Sequence, residues 1–286
     1  MVPVRRSTKS LKRVTFIICM LNKEGKMGIN LEGSNAVVTG GGAGIGRGIA
    51  ITLAEAGANV ASFDIDPLSN QETAELVNAA GAKGLALDCD VADRVQVRSA
   101  MSQVLRHLGD VDILINNAAV YIDTSLTEGT YESQTDGYER SISICALGSY
   151  YCARAAVPSM LAMGGGNIIN IITEHIKEGH LMTGPGASGY DGAKWVMWRQ
   201  TESWAVELKE HNIRVNGLCM GATDTPMLRA VSVPIAEAGM KVSDLGQAVI
   251  NVLSHGSDGP TGESYLFGTS GTSREQSLSE IALLAP

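Results

Sequence analysis

The feature that most limits the fold is an alternation. Seven short apolar, β-prone runs lie at 36–39, 60–63, 84–87, 111–115, 167–172, 213–218 and 264–267. Helix-length periodic segments separate them at 44–56, 71–80, 95–108, 138–163, 190–211 and 242–253. Such a pattern implies βαβ units and a parallel sheet covered on both faces. Short, right-handed connections then give a doubly wound arrangement. The expected fold is α/β: a seven-stranded, parallel, Rossmann-like sheet in a single domain. Two irregular stretches, 173–189 and 225–241, each follow a strand. Loops leaving the carboxyl ends of strands line the ligand crevice of such sheets, so both are expected pocket walls.

Composition narrows the options. Hydrophobic residues make up 44% of the 286 residues and charged residues 18%, a globular balance that argues against disorder. The net charge of −8 opposes a nucleic-acid surface. Residues 1–26 carry +6, with Glu24 their one acid, which leaves −14 for the rest. The apolar run 14–21 is far shorter than the roughly 20 residues needed to cross a bilayer. The basic, nearly acid-free segment reads either as a targeting presequence or as a non-structural extension, with the domain opening at Met27. The second reading is preferred, giving an extension of 1–26 and one domain of 27–286. Cys19, Cys89, Cys145, Cys152 and Cys219 show no ligand spacing. That points to no metal and to a reducing, cytoplasmic setting.

The first strand runs into Thr39-Gly40-Gly41-Gly42-Ala43-Gly44-Ile45-Gly46, and a helix follows. Glycines there let the backbone turn tightly and approach a pyrophosphate, which the helix N-terminus attracts. The second strand ends at Asp64, about 20 residues on, where a carboxylate accepts hydrogen bonds from ribose hydroxyls and repels a 2′-phosphate. Ala43, Phe63 and Ile65 supply no cation to offset that repulsion, so the expected cofactor is NAD. Asp66, followed by Pro67, fits a helix cap instead.

These residues and four later motifs resemble the short-chain dehydrogenase/reductase family over nearly all of 29–267. Thr39, Gly40, Gly44 and Gly46 match its glycine loop. Asp90-Val91 match its adenine contact, Asn116-Asn117-Ala118-Ala119 its Asn-Asn-Ala-Gly motif, and Tyr190 with Lys194 its Tyr-x-x-x-Lys pair. Met220-Gly221-Ala222-Thr223-Asp224-Thr225 match the segment after the sixth strand, with Met220 in place of the usual proline. The resemblance implies that Thr39, Gly40, Gly44, Ile45, Gly46, Asp64, Asp90, Val91, Asn117, Tyr190, Lys194 and Thr225 hold the cofactor. It also implies a homodimer or homotetramer, in which some of Trp195, Trp198 and Trp204 face a partner.

The chemistry has its own logic. A free tyrosine loses its proton near pH ~10 and is a poor base at neutrality. An ammonium within ~4–6 Å favours the phenolate. Lys194 is i+4 from Tyr190 and shares its helix face. Tyr190 is therefore the expected general acid–base, exchanging a proton with a secondary alcohol as hydride passes to NAD.

Two positions depart from the family. Thr173 stands where a serine usually binds the reacting oxygen, and a threonine hydroxyl makes the same bond. Thr183 and Ser188 are the fallback candidates. Cys145 stands where an asparagine usually supports a proton relay, which a thiol serves poorly; packing is its expected role. Glu174, His175 and His180 lie in the loop just past Thr173; one of them binding a polar substrate group is an open alternative, and a solvated loop is the preferred reading. Met182, Met220, Met227 and Leu228 suggest an apolar substrate pocket. The rival to an NAD-dependent dehydrogenase is an NAD-binding sensor or scaffold subunit with weakened catalysis. Epimerisation or dehydration on the same fold is a third option.

Overall fold

The computed structural model describes residues 19–21, 27–176, 186–269 and 271–286. A short antiparallel pair, β1 (Cys19–Leu21) with β2 (Met27–Ile29), comes first. β1 falls within the basic extension.

The seven expected strands follow as β3 (Asn35–Thr39), β4 (Asn59–Asp64), β5 (Gly84–Asp88), β6 (Ile113–Asn116), β7 (Gly166–Ile171), β8 (Ile213–Met220) and β9 (Ser264–Phe267). They form one parallel sheet in the order β5-β4-β3-β6-β7-β8-β9. The chain winds outward from β3 to β5, then crosses back to β6 on the other side of β3. The order reverses between β3 and β6, and a crevice opens at their carboxyl ends.

Side chains alternate across this sheet. Ala36 and Val38 of β3 join one core with Ile49 and Leu53 of α1 (Gly44–Glu55) and Leu245 and Val249 of α9 (Val242–Leu253). Val37, between them, joins the opposite core with Val97 and Met101 of α3 (Arg94–His107) and Cys152 and Met160 of α5 (Gly148–Met163). Burial on both faces is why these strands read as nearly continuous apolar runs.

The remaining helices are α2 (Pro67–Ala79), α4 (Tyr131–Ser141), α6 (Ser188–Leu208), α7 (Pro226–Val231), α8 (Val233–Ala238) and α10 (Arg274–Ala282). Asp66 caps α2 by accepting from the amides of Leu68 and Ser69, as its position before Pro67 implies. The segment expected as one helix over 138–163 differs in two ways. It begins earlier, at a Thr130/Ser133 capping box, and a π turn at Ile142–Leu147 interrupts it. The stretch 225–241, expected to be irregular, contains α7 and α8, whose six residues each are too short to show periodicity.

Candidate active site

The cleft at the β3/β6 switch point begins with the glycine turn. Gly40 and Gly44 have φ of +62° and +52°, conformations that side chains disfavour. Gly46 is held by contact: a Cβ there would lie 2.1 Å from the Gly40 carbonyl oxygen and 2.6 Å from Asn117 Nδ2. No side chain caps the amides at the start of α1, whereas Asp66, Asp93, Thr130, Thr225 and Ser273 cap other helices. The backbone of Gly40, Gly44 and Ile45 instead borders the cleft. Bare glycine backbone beside uncapped helix amides fits the pyrophosphate of a dinucleotide.

Asp64, at the end of β4, borders the same cleft. Its Oδ2 accepts the Gly42 amide at 2.8 Å and its Oδ1 the Asp66 amide at 3.1 Å, so the carboxylate is fixed against the glycine turn. Arg47 lies close by but is committed elsewhere. Its guanidinium donates to Thr73, Gly42 O and Ser69 O and pairs with Glu72. Asp90, Val91, Asn117 and Thr225 line the cleft, together with Arg140, which sequence reasoning passed over. Arg140 lies outside every motif that could have signalled it.

Two residues expected at the cofactor work one layer behind it. The Thr39 hydroxyl donates to Ile115 O at 3.4 Å and accepts the amides of Asn117 and Ala118, each at 3.0 Å. Asn117 Nδ2 returns bonds to the carbonyls of Thr39 and Gly40. Thr39 thus pins β3 to the end of β6, and Gly46 lets α1 approach that join. Neither borders the cleft.

Tyr190 and Lys194 stand on α6 and line the other end of the cleft. Lys194 Nζ lies 5.6 Å from the Tyr190 ring centroid and donates to Ile171 O at 2.6 Å. Thr173, buried at the exit of β7, interacts with the Tyr190 phenol and favours its ionised form. Ser188, the described fallback, instead contacts Thr124 at 3.0 Å; Thr183 lies outside the described residues, as do His180 and Met182.

Burial governs the electrostatics here. It raises the Tyr190 phenol far above the usual tyrosine range, with Cys145 and Asp191 adding to the rise and Thr173 opposing it. Burial also pushes Lys194 toward its neutral form, against Cys145 and Cys219, which favour the cation. The expected lowering of Tyr190 by Lys194 is therefore not the leading effect in this state. Each charged form alone is costly in a dry site, and phenolate beside ammonium offsets part of that cost. Cys145 sits in the π turn, 1% exposed, in one cluster with Ile172, Ala193 and Met197, which is the packing role expected of it.

One expectation fails here. Glu174 and His175 do not form a solvated loop. Both lie in a 3₁₀ turn, Glu174–Ile176. Glu174 is buried, and His175 Nδ1 lies 2.7 Å from Asp191 Oδ1. His175 meets Tyr190 edge-on at 6.3 Å, while Tyr121 leans on Tyr190 at 5.5 Å. The long-range pairing of 175 with 191 leaves no periodic trace in the sequence.

Comparison with known proteins agrees with this geometry. The family model for short chain dehydrogenase matches residues 34–234. The chain belongs to that family. Among short chain dehydrogenases, it is 36% identical to a 2,5-dichloro-2,5-cyclohexadiene-1,4-diol dehydrogenase of Sphingobium indicum, over 70% of this chain and 76% of that one. A 7α-hydroxysteroid dehydrogenase solved with NADH and 7-oxoglycochenodeoxycholic acid superposes with a TM-score of 0.76 at 25% identity, covering 85% of this chain and 96% of the other. Carveol dehydrogenase of Mycobacterium avium, solved with NAD, gives 0.73 at 26% identity, covering 84% and 97%. The chain is thus a Rossmann-like oxidoreductase of the short chain dehydrogenase family, a family that binds nicotinamide cofactors. Among the described residues no helix is long and apolar enough to cross a membrane.

Proposed function

We propose that this protein transfers a hydride between NAD(H) and a secondary alcohol or ketone, with Tyr190 as general acid–base. The observation that carries the reading is the placement of Tyr190 and Lys194 at one end of a cleft whose other end is a bare glycine turn, with the buried Thr173 acting on Tyr190 from behind the lining. When bound, NAD supplies the hydride acceptor and a positively charged ring. Thr173 positions the substrate oxygen, Tyr190 takes its proton, and Lys194, anchored on Ile171 O, holds charge beside the phenolate. Ile144, Met220 and Met227 line the cleft with apolar surface, which suits a cyclic secondary alcohol. The relatives named above, dehydrogenases of a cyclohexadiene diol, a hydroxysteroid and carveol, support that class. Four buried free thiols, at Cys89, Cys145, Cys152 and Cys219, suit a reducing cytoplasm.

Asp64 supports NAD over NADP. Its carboxylate borders the cleft, and Arg47 is tied to other partners. Asp64→Ala should cost NAD about 1.5–3 kcal/mol of charge-assisted hydrogen bonding, roughly ten- to hundredfold in the NAD-to-NADP preference. Comparing kcat/KM for the two cofactors checks this. Equal use of both by the unmutated protein would remove Asp64 from the argument.

The second reading, an NAD-binding sensor or scaffold, rests on Thr173 in the serine position and on Cys145, a buried thiol that gives little to a proton relay at Lys194. NADH binding without turnover of any alcohol would favour it.

We also propose a homo-oligomer built on the outer face of α6. Trp195 and Val196 are exposed there, Trp195 packs edge-on to Trp198, and a shallow groove runs on to Trp204. Apolar side chains grouped on one helix face suit a partner subunit. Trp195→Glu should shift light-scattering mass to the monomer. A monomeric unmutated protein would reject the interface.

A further inference from the structure

The pair His175–Asp191 has no part in the reading above, which assigns Tyr190 only Thr173 and Lys194 as helpers. Asp191 follows Tyr190 on α6, and His175 comes from the turn after β7, two residues past Thr173. The two side chains are mostly buried, at 16% and 18% exposure, and meet at 2.7 Å. An ionised carboxylate only accepts, so His175 Nδ1–H is the donor. The imidazole then stands edge-on to the Tyr190 ring at 6.3 Å.

We propose that His175 and Asp191 are positioning residues for the reaction: Asp191 opposes loss of the Tyr190 proton, and His175 damps that opposition through its bond to the carboxylate. The proposal rests on Tyr190 being the acid–base. A negative charge fixed in a largely dry site beside a phenol disfavours the phenolate. Consistent with this, Asp191 raises Tyr121 after burial, and raises Tyr190 behind burial and Cys145. The other groups around Tyr190 are fixed by different elements. Lys194 is on α6, Cys145 in the π turn, Thr173 at the exit of β7, and Tyr121 after β6 with Asp123 near it. Cys219 of β8 acts on Lys194, and the Glu174 carboxylate points toward Gly221. His175 is thus the imidazole placed to moderate Asp191.

The test is the pH dependence of kcat for NAD-dependent oxidation, with cyclohexanol, carveol and a 7-hydroxysteroid as probes. Oxidation rises with pH as Tyr190 deprotonates. Asp191→Asn should move the rising limb down by about one pH unit, roughly tenfold in rate on that limb. His175→Phe, which keeps a ring but loses the donor, should move it up. His175→Asn, whose amide replaces Nδ1–H, should restore the unmutated profile. The double variant His175→Phe/Asp191→Asn should follow Asp191→Asn. Opposite shifts from the two single variants are a signature that loosened packing does not produce. Coincident profiles, or shifts in one direction, overturn the proposal while leaving the dehydrogenase reading intact. No turnover of any probe overturns that reading, and the proposal with it.

Discussion

Replacing Tyr190 by phenylalanine should cut NAD-dependent oxidation by roughly 10²–10⁴-fold, the usual contribution of a positioned acid–base, and weaken NADH binding far less. The ring stays, so its contacts with Tyr121 and His175 stay. Only the hydroxyl, on which Thr173 acts, is lost. Burial keeps Tyr190 in its neutral phenol form at rest, so no buried charge is lost with the hydroxyl, and the melting temperature should change little. A variant that lost activity and stability together would place Tyr190 in the framework rather than the chemistry.

The second large effect is expected at Gly46. Its Cβ would lie 2.1 Å from a backbone oxygen and 2.6 Å from Asn117 Nδ2, and backbone cannot rotate aside as a side chain can. In Gly46→Ala, α1 must retreat from the end of β3. Overpacking of this kind costs about 1–3 kcal/mol of stability. The same retreat withdraws the uncapped α1 amides from the cleft. A loss of about 2 kcal/mol there weakens NADH binding by roughly thirtyfold. Fluorescence titration with NADH and a thermal melt measure the two effects separately. Unchanged affinity would mean that the α1 amides do not hold the cofactor.

How much of this could be read in the sequence depends on range. Seven strands and six helical segments were legible because burial on both faces gives long apolar runs and regular helical spacing. The glycine turn was legible because positive φ and close approach leave glycine as the tolerated residue. Tyr190 and Lys194 were legible because both sit on one helix, four residues apart. The π turn at Ile142–Leu147 was not, because the same side chains suit an α-helix. Helices α7 and α8 were too short to show a period. The division of labour within the glycine motif was also hidden: Thr39 and Gly46 look like ligand contacts and act as framework. His175 looked like a loop residue because its partner, Asp191, is 16 positions away. Tertiary pairs of that kind carry no local signal.

The measurement that tests the central claim most directly is NADH formation by the purified, unmutated chain, supplied with NAD and a panel of cyclic secondary alcohols. Reduced-cofactor absorbance should grow with at least one alcohol, faster with NAD than with NADP, and be lost in Tyr190→Phe. Tight NADH binding with no absorbance change across the panel would contradict the claim.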